Sequence, residues 1–308
     1  MIIEQYIREL INESKWEGIS VRDAISKLDS YKDNTWIFFD TETTGLTPHK
    51  RQLTEVAAIA VDTNDWESEP KIVDTFDKKV SLDDETKMKM MYQAQNDEEA
   101  ERKSKLTGKE VRARRGSSIK DLLKMTDYGG KGYTGGYHKE ATVIENFTKW
   151  VASFPNPLLV IHKASFDMKF MAVRKGTPLE RYPVIDTLEF IRLHLVPLLK
   201  TIGDSDEESK NLLSNLWIKG KTGRRFLSIS QGTLANAFNI SVDNWHTAIA
   251  DVEMLMKVFY HVYGLMNKWQ DIDTSAEHGK ILHSKTKSRE RKKEKGRKRQ
   301  EKIGKVRR

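Results

Sequence analysis

The stretch WIFFDTETTGL, residues 36–46, is the part of the sequence that decides both the fold and the site. Its first four residues are bulky and apolar, as in a central strand that is buried on both faces. Asp40 and Glu42 follow two positions apart, so both side chains leave the same face of this strand. Two neighbouring carboxylates repel each other unless a cation lies between them, so the strand end predicts a cation site. The alternative is a strand end with two solvated acids, because Asp-x-Glu pairs are frequent.

Regular elements surround this strand in an order that predicts the fold class. Strands come first, in an antiparallel meander, and then alternate with helices, which is typical of an α/β sandwich with a mixed sheet. The polar residues 203–224 are predicted as a loop. Periodicity predicts strands at 36–42, 53–61, 72–80, 158–162 and 184–187, and helices at 2–15, 21–29, 142–154, 166–174, 188–199, 230–238 and 248–265.

The chain divides into three predicted parts. Residues 1–33 form a helical N-terminal extension, in which Ser20 and Asp23 are spaced as a capping box before the second helix. Residues 34–268 form the main domain, with a polar, charged insertion at 81–140 that ends in the Gly/Tyr-rich stretch YGGKGYTGGYH. Residues 269–308 form a basic tail of low complexity, predicted to be disordered.

Composition and charge limit the function. The 308 residues include no cysteine, which excludes disulfides and thiolate chemistry and leaves oxygen and imidazole as metal ligands. Residues 280–308 carry 15 Lys and Arg against 3 Glu, a net +12, which leaves −4 on residues 1–279. A polyanionic partner is the natural interpretation of such a tail, although an address label or a solubilising extension fits equally. No apolar run reaches eighteen residues, and we expect no membrane association and a cytoplasmic protein.

A second acid stands in the segment HKASFDMKF, residues 162–170. A short strand delivers Asp167 to the start of a helix, with Ser165 as the predicted N-cap and Phe166 and Phe170 one turn apart on the core side. Taken alone, Asp167 is explained as well by the helix dipole, which favours an acid in the first turn.

A third segment, HTAIAD, places His246 five residues before Asp251. Asp251 falls in the first turn of a predicted amphipathic helix that continues through Val252, Leu255 and Phe259. A histidine before a helix is more often a cap or a core residue than a catalyst, so this segment also gains its meaning from the other two.

The combination predicts metal-dependent phosphodiester chemistry. Four carboxylates are hard oxygen donors, which suit Mg²⁺ or Mn²⁺ rather than zinc. Two such ions stabilise both the attacking and the leaving oxygen of a phosphodiester, and a histidine near neutral pKa serves as general base toward water. No Walker loop, dinucleotide glycine fingerprint or serine nucleophile elbow is present.

The three motifs resemble those of the DEDDh 3′→5′ exonucleases of the RNase H-like superfamily, which includes the proofreading epsilon subunit and RNase T. FFDTETTGL corresponds to the first motif, HKASFDMKF to the second and HTAIAD to the third, all in the family's order. The resemblance covers residues 34–265. It implies an RNase H-like three-layer sandwich with a mixed five-stranded sheet, and release of nucleoside 5′-monophosphates from a 3′ end.

The resemblance also implies roles for individual residues. Two divalent cations, Mg²⁺ or Mn²⁺, would be held by Asp40, Glu42, Asp167 and Asp251, with His246 as the general base. The side chains expected near the terminal nucleotide are those of Thr43, Thr44, Leu46 and Phe166.

The sequence departs from the family pattern in three places. Lys163 stands where the second motif usually has Asn; it either contacts a phosphate or points to solvent, and solvent is the favoured alternative. The insertion at 81–140 is long for the family, and it is either a flap that stacks on bases or a segment without function. The basic tail lies outside the shared pattern. Asp186, also common in these enzymes, is interpreted as structural.

Three functions remain open at this point. The favoured one is a DNA exonuclease that prefers single-stranded 3′ ends, in a phage or bacterial setting with a replication or repair protein as partner. The second is a 3′→5′ exoribonuclease, since the chemistry acts on a phosphodiester in either case. The third is a non-catalytic nucleic-acid-binding or structural protein that retains the fold.

Overall fold

The computed structural model describes residues 16–63, 70–86, 88, 137–174, 178–220, 222–241, 247–284, 286–287, 290 and 294. These form two compact units. The first contains the described parts of residues 31–187 and 239–260, and the second contains those of 13–30, 188–238 and 261–308. The predicted helix at 2–15, most of the insertion and the end of the basic tail lie outside the described residues. The predicted domain boundaries stay a prediction.

A mixed sheet is the centre of the first unit. Its strands are β1 (Thr35–Thr43), β2 (Leu53–Asp62), β3 (Lys71–Val80), β4 (Tyr137–His138), β5 (Leu158–Ile161) and β6 (Val184–Asp186). The spatial order is β4-β3-β2-β1-β5-β6, with β1 antiparallel to β2, β2 antiparallel to β3, and parallel pairing elsewhere. The predicted meander and the five-stranded mixed sheet are confirmed, and the two-residue β4 adds a sixth strand at the edge.

The helices of the described residues are distributed over both units. In chain order they are α1 (Val21–Asp29), α2 (Glu140–Ala152), α3 (Ala164–Ala172), α4 (Thr187–Phe190), α5 (Val196–Ile202), α6 (Glu207–Asn215), α7 (Gln231–Ala237) and α8 (Ala248–Lys268). A π-helical segment, Ile191–Leu195, joins α4 to α5, and short 3₁₀ turns occur at Pro48–Lys50 and Pro178–Arg181.

The alternation of side chains along β1 produces the layers of the first unit. Phe39 points to the face covered by α2, where its ring centroid lies 5.2 Å from that of Phe147. Trp36 and Phe38 point to the other face, with centroids 5.8 and 6.1 Å from that of Phe259 in α8. Each fully buried aromatic contributes about 1.5–3 kcal/mol through the hydrophobic effect. Helices therefore cover both faces of the sheet, which confirms the predicted three-layer α/β sandwich with a mixed sheet.

The second unit contains structure where the sequence predicts a loop. Residues 203–224 include α6 and the strand β7 (Trp217–Lys219), which pairs antiparallel with β8 (Arg225–Leu227), so the loop prediction is wrong. The side chain of Asp206 caps α6 by accepting a hydrogen bond from the N–H of Ser209 at 2.8 Å. Buried Leu212, six residues beyond Asp206, anchors this polar helix in the second unit.

Two sequence features near the ends of the chain have different outcomes. The predicted capping box is confirmed, because Ser20 and Asp23 exchange the expected hydrogen bonds at the start of α1. Residues 275–284 are helical, with His278 buried and Glu277 in an ion pair with Lys200 at 3.7 Å. The prediction of disorder is therefore wrong for that part of the tail. Of the helices described, none combines the length and apolarity that crossing a bilayer requires.

Candidate active site

β1 carries two of the predicted acids out of the core on one face. Side chains two residues apart share a face, so Asp40 and Glu42 continue the row that starts with Trp36 and Phe38. That row faces α8. Both carboxyl groups are partly buried, because the strand end is covered by neighbouring elements of the first unit.

α8 brings Asp251 to the same place. Asp251, Leu255 and Phe259 recur every four residues, so they form one stripe of the helix. Phe259 packs on Phe38, and Asp251 lies eight residues before it, about 12 Å along the helix axis. Glu42 lies four residues beyond Phe38, about 13 Å along the strand. The two distances match, which is why helix and strand deliver their acids to one point.

Three carboxylates converge there. Asp40, Glu42 and Asp251 each offer an oxygen, and these oxygens lie within 4.8 Å of one another. Burial, followed by the charge of Asp251, raises the pKa of Glu42 to about 8. Burial and then the charge of Asp167 raise the pKa of Asp40 well above its usual value. Carboxyl groups held this closely favour either a proton or a cation between them.

Asp167 lies beside this group of three but does not belong to it. Its Oδ1 accepts hydrogen bonds from the backbone N–H of Thr41 at 3.1 Å and from the Thr41 hydroxyl at 2.6 Å. Asp167 is 2% exposed, and burial raises its pKa to about 7 against the opposing effect of the Thr41 hydroxyl. The structure therefore unites three of the four predicted carboxylates and fixes the fourth next to Asp40.

The start of α3 differs from its prediction. The N-cap is Lys163, in the left-handed conformation with φ +67°, and no side chain caps the helix, so the assignment of Ser165 as N-cap is wrong. The backbone N–H of Lys163 donates instead to Oδ1 of Asp186 at 3.1 Å, consistent with a structural role for Asp186. The Lys163 side chain is exposed, as expected, with its Nζ 5.6 Å from the ring centroid of Phe166.

The four residues expected near the nucleotide occupy the turn after β1 and the start of α3. The hydroxyl of Thr43 donates to the carbonyl of Gly45 at 2.9 Å, and the hydroxyl of Thr44 accepts from the N–H of Gln52 at 3.0 Å. Leu46 is 81% exposed, which leaves its side chain open to a ligand. Phe166 packs against Phe170 with ring centroids 5.0 Å apart. Their contact with a nucleotide stays a prediction.

His246 lies outside the described residues, which resume at Thr247. The backbone N–H of Asp251 donates to the carbonyl of Thr247 at 3.0 Å, which forms the first turn of α8. The predicted role of His246 therefore rests on its place in the motif, five residues before an acid that is in the cluster.

Glu55 is a buried acid that the sequence interpretation missed. It is 2% exposed and lies directly opposite Glu42 in the antiparallel pairing of β1 and β2, so both side chains share the α8 face. Burial and then the charge of Asp77 raise the pKa of Glu55 to about 7, and the N–H of Ala248 stabilises its charged form. Its Oε1 has no hydrogen-bond partner among the described residues.

Glu55 therefore lies between Glu42, at the end of β1, and the backbone N–H of Ala248, the first residue of α8. An acid inside the apolar run LTEVAAIAVD is the signal that sequence reasoning could have used, since a fully buried Glu is rare without a partner. Asp77, on β3, completes this second pair, and burial raises its pKa as well.

Comparison with known proteins gives one family. Residues 37–121 match the family model described as exonuclease, a range that includes Asp40 and Glu42. Among solved structures, the chain is similar to Escherichia coli exonuclease I in complex with a dA16 oligonucleotide, with 15% identity, TM-score 0.46, and coverage of 75% of this chain and 42% of that one. It is also similar to a moderately thermophilic exonuclease I from Methylocaldum szegediense, with 16% identity, TM-score 0.47, and coverage of 75% and 40%.

This chain thus spans less than half the length of the exonuclease I chains that it resembles. No curated protein matches it. The three motifs in their order, the convergence of Asp40, Glu42 and Asp251 at the end of β1, and the match of residues 37–121 to the exonuclease model make the chain similar to the DEDDh exonucleases.

Proposed function

We propose that the protein removes nucleotides from the 3′ end of DNA, with single-stranded ends preferred, and releases nucleoside 5′-monophosphates. The observation that carries the proposal is the convergence of Asp40, Glu42 and Asp251, whose oxygens lie within 4.8 Å of one another at the end of a buried strand. Such a group of acids destabilises a fold unless it binds something positive.

The residues fit divalent cations of the Mg²⁺ type. Asp40, Glu42 and Asp251 supply hard oxygen ligands, and Asp167 beside Asp40 supplies a fourth. Burial, together with the charges of Asp251, Glu55 and Asp167, raises the pKa of Glu42 to about 8, and a cation held between these oxygens would favour the charged carboxylate. When bound, two such ions polarise the phosphodiester and stabilise charge on the attacking and leaving oxygens.

The chain's own residues would position the reaction. The Thr41 hydroxyl and N–H hold Asp167 in one orientation, and the contact of Phe259 with Phe38 holds α8 in register with β1. His246, two residues before α8 in the sequence, would accept the proton of the attacking water, since an imidazole titrates near neutral pH. Thr43, Thr44, Leu46 and Phe166 would contact the terminal nucleotide.

DNA is the favoured substrate, and RNA is the alternative within the same family. The similar exonuclease I structure holds a dA16 oligonucleotide, and divalent cations bound by the acidic site would act on the phosphodiester that DNA and RNA share. A strand with a free 3′ end is the expected nucleic-acid partner, and a replication or repair protein is the proposed protein partner.

The test is digestion of oligonucleotides labelled at the 5′ end, as DNA and RNA and as single and double strands, with and without Mg²⁺. We expect a ladder that shortens from the 3′ end of single-stranded DNA, release of 5′-monophosphates, and no reaction in EDTA. Shortening of RNA alone would replace DNA by RNA as the substrate, and shortening from the 5′ end would overturn the polarity.

Matched carboxylate-to-amide variants separate the site from the rest of the surface. Asp40→Asn should lower kcat by at least about a thousandfold, because it removes a ligand on which transition-state stabilisation depends. Glu145→Gln changes an exposed acid whose ion pair, within the described ranges, is with Lys149 one turn away, and it should leave activity unchanged. Equal activity of Asp40→Asn and the parent protein would remove the proposed mechanism.

A further inference from the structure

The hairpin of β7 and β8, in the second unit, has two distinct faces. Opposite residues of an antiparallel pair share a face, and the pairs are Trp217↔Leu227, Ile218↔Phe226 and Lys219↔Arg225. One face, here called the Trp217 face, therefore carries Trp217, Lys219, Arg225 and Leu227. The opposite face carries Ile218 and Phe226.

Both faces are open to solvent, and each exposes an aromatic ring. Trp217 is 41% exposed and Phe226 is 48% exposed, and they are the two aromatic members among the exposed large hydrophobic side chains of the described residues. The ring of Phe226 rests on the backbone of Gly220, where an added Cβ would lie 3.2 Å from it. A single exposed ring is common on protein surfaces, so the charged side chains beside it decide what it could bind.

The hairpin is also locally basic in a chain whose residues 1–279 are acidic overall. Between residues 211 and 242 the only charged residues are four cations, Lys219, Lys221, Arg224 and Arg225. One N–H of the Arg225 guanidinium donates to the carbonyl of Trp217 at 3.2 Å, which holds this cation against the strand that carries the indole. No ion pair with a carboxylate is observed for Lys219 or Arg225 within the part of the chain that the structure describes.

We propose that the Trp217 face binds a single nucleic-acid strand, with a base stacked on the Trp217 indole and the adjoining phosphates bound by Lys219 and Arg225. This inference rests on the proposed function, for which such a strand is the substrate. An exposed indole beside two cations is complementary to a base beside its phosphates. A duplex supplies phosphates for the two cations, but its bases are stacked on one another and cannot stack on Trp217. An acidic peptide supplies negative charge but no base to stack on the indole.

The experiment measures binding of a 5′-fluorescein-labelled oligothymidylate of about 20 nucleotides, long enough for one stacking site and its flanks, by anisotropy in EDTA so that the strand stays intact. Trp217→Ala should weaken binding about tenfold, the loss expected for one stacked base. The double change Lys219→Gln with Arg225→Gln should flatten the dependence of log K on log salt by about 1.4, or 0.7 for each phosphate contact with a single strand.

Two variants of the opposite side of the same hairpin serve as controls. Phe226→Ala removes an equally exposed ring, and Arg224→Gln removes a neighbouring charge, and both should bind the strand like the parent protein. If Trp217→Ala binds like the parent, the surface does not hold a strand and is open to another kind of partner. If Phe226→Ala loses as much as Trp217→Ala, the assignment of the face is wrong.

Parallel assays of Mg²⁺-dependent cleavage keep the two proposals apart. The hairpin proposal alone is overturned if the parent protein cleaves DNA and Trp217→Ala has the same affinity and the same KM as the parent. A parent protein that binds the strand through Trp217 but releases no mononucleotide overturns the proposed function alone. A parent protein that neither binds nor cleaves overturns both.

Discussion

Replacing Glu42 with Gln should stabilise the metal-free protein while it destroys activity. Glu42 has a pKa of about 8 in the folded protein against 4.5 for an ordinary Glu, because of burial and the charges of Asp251 and Glu55. The folded protein therefore retains a proton that the unfolded chain releases, so stability falls as pH rises from 4.5 toward 8.

The size of the effect follows from these pKa values. At pH 7 the pH lies about 2.5 units above the pKa of Glu42 in the unfolded chain, which corresponds to roughly 3 kcal/mol of lost stability. Because the side chain is partly exposed, we reduce this loss to about 2–3 kcal/mol. Gln is close to Glu in shape and carries no proton to lose. We therefore expect Glu42→Gln to exceed the parent protein by about 2–3 kcal/mol at pH 7, and by only about 0.5 kcal/mol at pH 5.

The assay is urea unfolding in EDTA at the two pH values, followed by the same measurement with Mg²⁺. A bound cation stabilises the folded state by mass action, so Mg²⁺ should raise the stability of the parent protein more than that of the variant. The reasoning is refuted if the variant is no more stable than the parent in EDTA at neutral pH, or if its advantage is the same at both pH values.

Three further changes test other parts of the structure. Burial lowers the pKa of His194, in the π-helical segment, to about 3. Below pH 6.5, the ordinary pKa of histidine, the unfolded chain therefore binds a proton at His194 that the folded protein does not bind. The free energy of unfolding should therefore be about 2 kcal/mol lower at pH 5 than at neutral pH. In urea unfolding, His194→Leu should remove this pH dependence, and the same dependence in the variant as in the parent would contradict the prediction. Thr41→Val removes the 2.6 Å hydrogen bond to Asp167, which should raise the pKa of Asp167 further and lower kcat about tenfold, with rescue by Thr41→Ser. A pH–rate profile identical to the parent's would count against this role. Glu55→Ala should be about 1–3 kcal/mol less stable than Glu55→Gln, because only Gln keeps an acceptor near the N–H of Ala248; equal stability would count against that contact.

The sequence alone predicts the fold well because its strongest signals lie in the core. The aromatic and β-branched run Trp36–Phe39, followed by a turn, favours a buried strand, and its alternation separates the face of Phe39 from the face of Phe38. The same alternation sends Asp40 and Glu42 toward α8, whose four-residue spacing places Asp251 opposite them. For these three residues, local periodicity fixes the position in space.

The misses arise where a local pattern is weak or where partners are distant in sequence. Helix α6 has few apolar residues, so its Asp206 cap is a stronger signal than its periodicity. The contact between Thr41 and Asp167 joins residues 126 positions apart, and no local pattern reveals which oxygen Thr41 binds. Glu55 was missed because its place near the site follows from the strand pairing that sets it opposite Glu42. That pairing register depends on the length of the turn between β1 and β2, which no local pattern around Glu55 reveals.

The most direct test of the central claim is an anomalous difference map from a crystal soaked in Mn²⁺. The acidic strand end should show a peak bounded by the carboxylates of Asp40, Glu42 and Asp251, and the peak should be absent in Asp40→Asn crystals soaked in the same way. Mn²⁺ peaks at other sites of the parent protein, with none between these three carboxylates, would contradict the account.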